Sequence, residues 1–211
     1  MDLRHETRRG ERESRMKAWC VLVIIVGLAG FASLSAATAT IQVKTTVDQV
    51  LEILNDLKLR GEAMKKERRE RLRNAISPRF DFGEMAKRSL GHHWRRYPEK
   101  QEEFVSAFTD YLEATYLKLI ESYKGEKILY KGERLDNDFA EVDTKVISDQ
   151  GTETPITYKL HLVAGEWRVY DFVVEGVSLV NNYRSQFDRI LANSSFDEML
   201  KALRKKTPGK S

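Results

Sequence analysis

The sequence predicts a single α+β domain, with helices packed on one face of a four-stranded antiparallel sheet. Apolar residues recur at helical spacing up to residue 123, whereas from residue 126 to residue 175 they alternate with polar residues, as in strands. Short turn signals separate the strand-like runs, which favours antiparallel pairing. No repeat or Pro/Gly-rich linker follows residue 40, and 41% of the 211 residues are hydrophobic, enough for one core.

The N-terminus differs from the rest of the chain. Basic and acidic residues fill residues 1–17, an uncharged apolar run covers residues 18–34, and the small residues Ala37-Thr38-Ala39 follow. This order predicts a cleaved secretory signal peptide at residues 1–39 and a mature domain at residues 40–211. Met16 is an alternative start, and a membrane anchor is the alternative function of the apolar run. Cleavage removes Cys20, the only cysteine, so the mature chain is expected to have no disulfide.

Two helices are predicted first in the mature chain. Val43, Val47 and Val50 give residues 41–59 an apolar stripe at helical spacing. Residues 62–76 contain a basic run, which predicts a solvated helix face with i,i+4 ion pairs. The alternative for this run is a patch that binds nucleic acid or anionic lipid. Ser77-Pro78 ends the helix.

Two further helices precede the sheet. Asp81-x-x-Glu84 is a capping-box pattern that predicts a short helix to Leu90, which Gly91 ends. Pro98 fits the first turn of a long helix over residues 98–123.

The four strands are predicted at residues 126–134, 138–148, 154–163 and 166–175, with turns at Asp136-Asn137, Gln150-Gly151 and Ala164-Gly165. The second and third strands alternate, so one sheet face is apolar and the other faces water. The fourth strand is nearly continuously apolar, which predicts cover on both sides. Helices over residues 178–193 and 195–205 complete the chain.

The sequence carries no recognisable catalytic or metal-binding motif. G-x-S-x-G, P-loop, G-x-G-x-x-G and H-E-x-x-H patterns are all absent. His92 and His93 are adjacent, and adjacent residues point apart on a helix, so no metal site is predicted. Asp171 lies in the most apolar strand and is interpreted as a hydrogen-bonded structural aspartate. We therefore predict neither an enzyme nor a cofactor.

Three stretches resemble one known family. They are Arg79-Phe80-Asp81-Phe82 with Met85-Ala86, Leu90-Gly91 and Trp94; the helix from Phe104 to Tyr116; and Trp167 to Val180, continued by Asn182-Tyr183-Arg184-Ser185-Gln186-Phe187. Together they resemble the MlaC-type periplasmic phospholipid-binding family, also called the toluene-tolerance auxiliary component of an ABC transporter. The match covers nearly the whole mature chain with order and spacing intact.

The resemblance implies that the sheet is curved and that a deep apolar pocket lies between the helices and the sheet. It also implies a function. A member of this family is a periplasmic carrier that moves phospholipid between an outer-membrane lipoprotein complex and an inner-membrane ABC transporter with an MCE-domain protein, and so maintains outer-membrane lipid asymmetry. No nucleic acid is expected as a partner, and a monomer is expected. The alternatives are a hopanoid or isoprenoid cargo, a periplasmic lipid hydrolase, and a structural adaptor with a dry core.

Large apolar residues on the predicted stripes are the candidates for contact with lipid tails. Core packing explains the same stripes, and the sequence alone does not separate the two roles. The candidates are Phe82, Met85, Leu90, Phe108, Leu112, Tyr116, Tyr158, Leu160, Val169, Val173, Val177, Val180, Tyr183 and Phe187.

Overall fold

The computed structural model describes residues 38–207, so almost all of the predicted signal peptide lies outside the described residues. Within that range no helix is both long enough and apolar enough to cross a membrane.

In residues 38–207 the structure has seven α-helices, with short 3₁₀ turns between several of them. They are α1 (Ala39–Asn55), α2 (Lys65–Ile76), α3 (Phe82–Leu90), α4 (His93–Arg96), α5 (Gln101–Glu121), α6 (Leu179–Leu191) and α7 (Phe196–Lys205). The predicted helices are all present. The long helix begins at Gln101 because Pro98–Lys100 forms a 3₁₀ turn, and the first helix ends at Asn55. The four-residue α4 is too short to give a periodic signal and was not predicted.

The sheet has five antiparallel strands, not the four that the sequence predicts. They are β1 (Lys127–Asp136), β2 (Phe139–Ile147), β3 (Glu153–Val163), β4 (Glu166–Val174) and β5 (Val177–Ser178), in that spatial order. The extra strand pairs Val177 and Ser178 with the end of β4. Two residues cannot show an alternating pattern, which is why the sequence did not reveal β5.

Two β-bulges interrupt the register. One lies between Tyr130 and Gly132 on β1, and the other lets Tyr170 on β4 stand unpaired between the Lys159–Asp171 and Leu160–Val169 pairs. A bulge bends its strand and increases the local twist, so the two bulges curve the sheet.

Capping anchors α3 to the sheet. Asp81 Oδ1 accepts a hydrogen bond from the Glu84 amide at 2.8 Å, as the capping-box pattern predicts. The reciprocal half of the box is missing, because the Asp81 amide donates to the Val169 carbonyl instead. A parallel bridge between Phe80 and Val169 adds to this link. The start of α3 is therefore fixed against β4.

Two apolar clusters form the core. The larger lies among α3, α5, α6 and α7 and contains a network of phenylalanine and tyrosine rings around Phe104 and Phe108. The smaller lies where α1 covers the sheet, and it contains Val43, Val142 and Leu160. The sheet is thus held by α1 at one end, and by the junction with α3 and α6 at the other.

Most ion pairs of the basic helix α2 are made with α5 rather than within α2. Arg68 and Arg69 both bind the Glu121 carboxylate, at 3.0 and 2.7 Å, and Arg73 binds Glu113 at 2.7 Å. Arg71–Glu67 is an i,i+4 pair of the predicted kind. The prediction of a solvated face is therefore wrong for the side of α2 that faces α5, because acidic residues 40 to 53 positions away supply the partners.

Candidate functional site

An apolar cavity of about 220 Å³ lies between α5 and the sheet. The end of α2, the start of α3, strands β3 and β4, and the first residue of α6 complete its walls. The lining residues are Arg73, Ile76, Ser77, Phe80, Phe82, Met85, Leu112, Glu113, Tyr116, Leu117, Leu119, Ile120, Ile156, Tyr158, Phe172 and Leu179.

Aromatic rings form two walls of the cavity. Phe80 and Phe82 stack with their centroids 5.7 Å apart, and Tyr116 meets Phe172 edge-on, also at 5.7 Å. Tyr158 is the direct partner of Phe172 in the β3–β4 register, so both rings project from the same face of the sheet. Rigid rings of this kind provide large apolar contact area without strict geometric demands.

The polar lining residues lie together at one side. Arg73 Nε donates a 2.7 Å hydrogen bond to Glu113 Oε2, and the Arg73 side chain is 41% exposed. Leu119 is 66% exposed although it also lines the cavity. These residues therefore mark the side at which the cavity reaches solvent, and the ion pair lies at this mouth.

The interior of the cavity is uncharged. Burial raises the pKa of the Tyr116 hydroxyl and that of Tyr158, so both phenols remain neutral at ordinary pH. Ser77 is the one serine among the lining residues, and none of the lining residues is a histidine that would activate it. The arrangement can hold apolar chains, whereas it has no activated nucleophile for bond cleavage.

Five of the fourteen predicted lipid contacts line this cavity: Phe82, Met85, Leu112, Tyr116 and Tyr158. The other nine lie elsewhere, and a contact with lipid stays a prediction for all fourteen. Leu90, Phe108, Val180, Tyr183 and Phe187 pack in the helical cluster, and Leu160 and Val169 pack in the cluster beneath α1. Val177 is 60% exposed, and Val173 is half-buried outside the lining.

The β4 bulge explains why Phe172, which lines the cavity, was not among the predicted lipid contacts. Simple alternation from Val169 would put Val173 on the inner face and Phe172 on the outer one. The unpaired Tyr170 shifts this alternation by one residue, so Phe172 shares a face with Val169. Sequence reasoning therefore chose Val173 where the structure places Phe172. Ile156 had a signal, because it alternates onto the same face of β3 as Tyr158, but it was not chosen as a candidate. Leu179 had no comparable signal.

Comparison with known proteins fixes the family. Residues 44–205 match the family described as MlaC protein. The chain belongs to the MlaC family. The match covers every helix and strand described above except the first few residues of α1, so the cavity lies wholly inside the MlaC domain.

Three relatives illustrate the family. The intermembrane phospholipid transport system binding protein MlaC of Haemophilus influenzae is 25% identical over 61% of this chain, and the match spans 63% of that relative's length. The toluene tolerance protein ttg2D of Pseudomonas putida is 28% identical over 78% of this chain and 79% of its own. A phospholipid-binding protein from Ralstonia solanacearum, solved in complex with a phospholipid, is 28% identical with a TM-score of 0.71. That match covers 81% of this chain and 97% of the solved one.

Proposed function

We propose that this protein is a periplasmic phospholipid carrier that holds acyl chains in the cavity between α5 and the sheet. The observation that carries the proposal is this apolar, aromatic-walled cavity, located in a fold whose Ralstonia relative was solved with a phospholipid. We propose that the headgroup lies at the mouth of the cavity, beside Arg73 and Glu113.

The energetics favour a carrier. Moving an acyl chain from a bilayer into water costs about 0.8 kcal/mol per methylene group, so two ordinary chains cost on the order of 20 kcal/mol. An apolar cavity lowers that barrier without any bond-making chemistry. Aliphatic and aromatic walls grip the tails without directional bonds, which suits a protein that must also release its cargo.

The size of the cavity sets a condition. A cavity of roughly 150 Å³ accepts benzene, so by proportion about 220 Å³ has room for about nine carbon atoms. Two full acyl chains exceed this volume several-fold. We therefore propose that the cavity widens when lipid enters.

Export and partners form the rest of the proposal. We place the protein in the periplasm after cleavage of residues 1–39. Cleavage after Ala39 would remove the N-cap Thr38 and the buried first residue of α1. The Thr40 amide, which donates to Glu133 Oε2 at 2.6 Å, would then become a terminal ammonium facing that carboxylate. The proposed partners are an outer-membrane lipoprotein complex and an inner-membrane ABC transporter with an MCE-domain protein. The proposed role is maintenance of outer-membrane lipid asymmetry.

Lipid mass spectrometry on protein purified from periplasm without detergent tests the proposal. We expect near-stoichiometric diacyl phospholipid. Ile156→Trp fills the cavity and should lower the lipid load several-fold, whereas Ile147→Trp, at a half-buried strand position outside the lining, should keep it. Hopanoid in place of phospholipid would change the cargo class, and accumulating lysophospholipid would indicate a hydrolase. A protein free of lipid, even after incubation with liposomes, would refute the carrier.

A further inference from the structure

The turn after α3 brings two histidines against α6. Gly91 ends α3 with φ +55° and ψ −123°, a conformation that residues with a side chain rarely adopt. A Cβ at this position would also lie 3.0 Å from Arg184 Nε on α6. The turn therefore packs directly on α6, one helical turn before Asp188, and it delivers His92 and His93 to that carboxylate.

The three side chains converge. The His92 and His93 rings lie 3.9 Å apart between centroids, although neighbours inside a helix point about 100° apart. Asp188 Oδ1 lies 3.1 Å from His93 Nε2 and 4.0 Å from His92 Nδ1. One ligand atom from each residue falls within 4.8 Å of the other two. In a tetrahedral zinc site with bonds of about 2.0–2.2 Å, ligand atoms are roughly 3.3–3.6 Å apart.

Two atoms of this cluster have unmet bonding capacity. Asp188 Oδ1 is buried and, in the described part of the chain, has no well-oriented hydrogen bond despite its 3.1 Å contact with His93. Two atoms that bind the same metal ion lie close together without a hydrogen bond between them, because their lone pairs point at the ion rather than at each other. His93 Nδ1 is also buried without a partner among residues 38–207, so no hydrogen bond there commits the proton to Nε2.

We propose that His92, His93 and Asp188 bind a divalent late first-row transition-metal ion, with Zn²⁺ as the reference. Two imidazoles and one carboxylate suit Zn²⁺ and its neighbours, whereas Ca²⁺ and Mg²⁺ need more oxygen ligands. His92 is 74% exposed and His93 only 9%, so the ion lies at the surface with positions open to water. The nearby Arg96 charge opposes a cation, so binding is weaker than at a structural zinc site.

The bound ion joins the α3–α4 turn to α6, and the proposal is independent of the lipid-carrier function. It differs from the sequence-based expectation of no metal site, which treated the two histidines as residues of one regular helix. Their position at the start of α4, immediately after the Gly91 turn, brings the rings together. The expectation of no metal site stays a prediction until Zn²⁺ binding is measured.

Calorimetric titration of Zn²⁺ into tag-free, metal-free full-length protein tests the site, with thermal unfolding as a second readout. We expect one ion per chain and a rise in Tm with Zn²⁺. His92→Gln and Asp188→Asn should each weaken binding by more than the roughly 10- to 100-fold typical of losing an outer-shell partner, and should abolish the Tm rise. Both positions are substantially exposed, so both variants should fold.

The matched controls are His161→Gln and Asp197→Asn, which remove the same chemical groups elsewhere and should keep wild-type Zn²⁺ affinity. Undetectable binding by the wild-type protein would overturn the proposal. Zn²⁺ binding that persists unchanged in both His92→Gln and Asp188→Asn would place the ion elsewhere, for example at His5 or Cys20, and would overturn it equally.

Discussion

At the scale of single residues, Asp171 shows how a buried carboxyl group is accommodated. It is 5% exposed, its Oδ2 accepts a 2.6 Å hydrogen bond from Ser178, and its Oδ1 accepts a 3.0 Å bond from the Val180 amide. The carboxylate thus joins β4 to β5 and to the first turn of α6. The interpretation of Asp171 as a hydrogen-bonded structural residue is confirmed.

Replacing Asp171 should therefore affect stability. Asp171→Ala leaves the buried Val180 amide without its acceptor and should lower the free energy of unfolding by about 2 kcal/mol. Asp171→Asn keeps an acceptor for that amide and should cost only about 1 kcal/mol. Urea denaturation of both variants measures the difference. Equal stability of Asp171→Ala and the wild-type protein would contradict the assigned role.

Residue types and caps were easier to predict than side-chain orientation. The capping box of α7 is fully formed between Ser195 and Glu198, because both partners are local in sequence. The cavity lining depends on features that the sequence pattern does not reveal. One is the bulge at the unpaired Tyr170, which places Phe172 on the inner face of the sheet. The sequence could therefore identify an apolar set, whereas it could not sort that set into core and cavity.

At the scale of elements, the pairing of α2 with α5 forms one rim of the cavity. Burial works to raise the pKa of Glu121, and the hydrogen bonds from Arg69 and Arg68 outweigh it, so this pKa lies below its ordinary value of 4.5. The ionised carboxylate is therefore the form that stabilises the fold. Local propensity predicted α2 itself, whereas the acidic partners of its arginines lie 40 to 53 residues further along the chain, on α5.

Glu121→Gln should lower the free energy of unfolding at pH 7 by about 2 kcal/mol, because two half-buried guanidinium groups lose their shared counter-charge. The stabilising effect is fully present above the unfolded-state pKa of 4.5 and is lost as pH falls through the lower folded-state value. The gap between wild type and variant should thus be constant above about pH 5 and shrink in acid. Denaturant unfolding across this pH range measures it.

The matched control is Glu67→Gln, which breaks the exposed pair with Arg71 and should change stability by less than about 1 kcal/mol. If both variants lost the same stability, the link between α2 and α5 would have no special role. A gap that widened as the pH fell would show that the ionised form of Glu121 is not the stabilising one.

At the scale of the whole molecule, α5 is closely packed against the other helices of the large cluster, whereas the cavity separates it from strands β3 and β4. Helices α3, α5, α6 and α7 share the large buried cluster, whereas β3 and β4 reach α5 across the cavity through the Tyr116–Phe172 ring contact. The α+β class and the antiparallel pairing of the first four strands followed from the sequence, because strands joined by short turns pair with their neighbours. The distance between α5 and the sheet did not follow from the sequence, because it depends on what occupies the cavity between them.

If lipid occupies the cavity, α5 and the sheet must separate, since about 220 Å³ does not hold two acyl chains. Inserting one layer of hydrocarbon requires a displacement of about 4 Å, the contact distance between carbon atoms. Residues 40–211 contain no cysteine, so spin labels can be placed uniquely in the mature chain. Labels at Lys118→Cys on α5 and Glu153→Cys on β3 should move apart by about this distance when delipidated protein is loaded.

The reference pair, Lys118→Cys with Lys201→Cys on α7, lies within the packed helical body, where α5 contacts α7 directly. Double electron–electron resonance should show no change in the distance between these two labels. The side chains between α5 and α7 are closely packed, so the two helices cannot move together or apart without breaking that packing. Equal movement of both pairs would mean that the body itself expands. If the α5–β3 distance stayed constant in protein shown to carry lipid, the tails would have to lie outside this cavity.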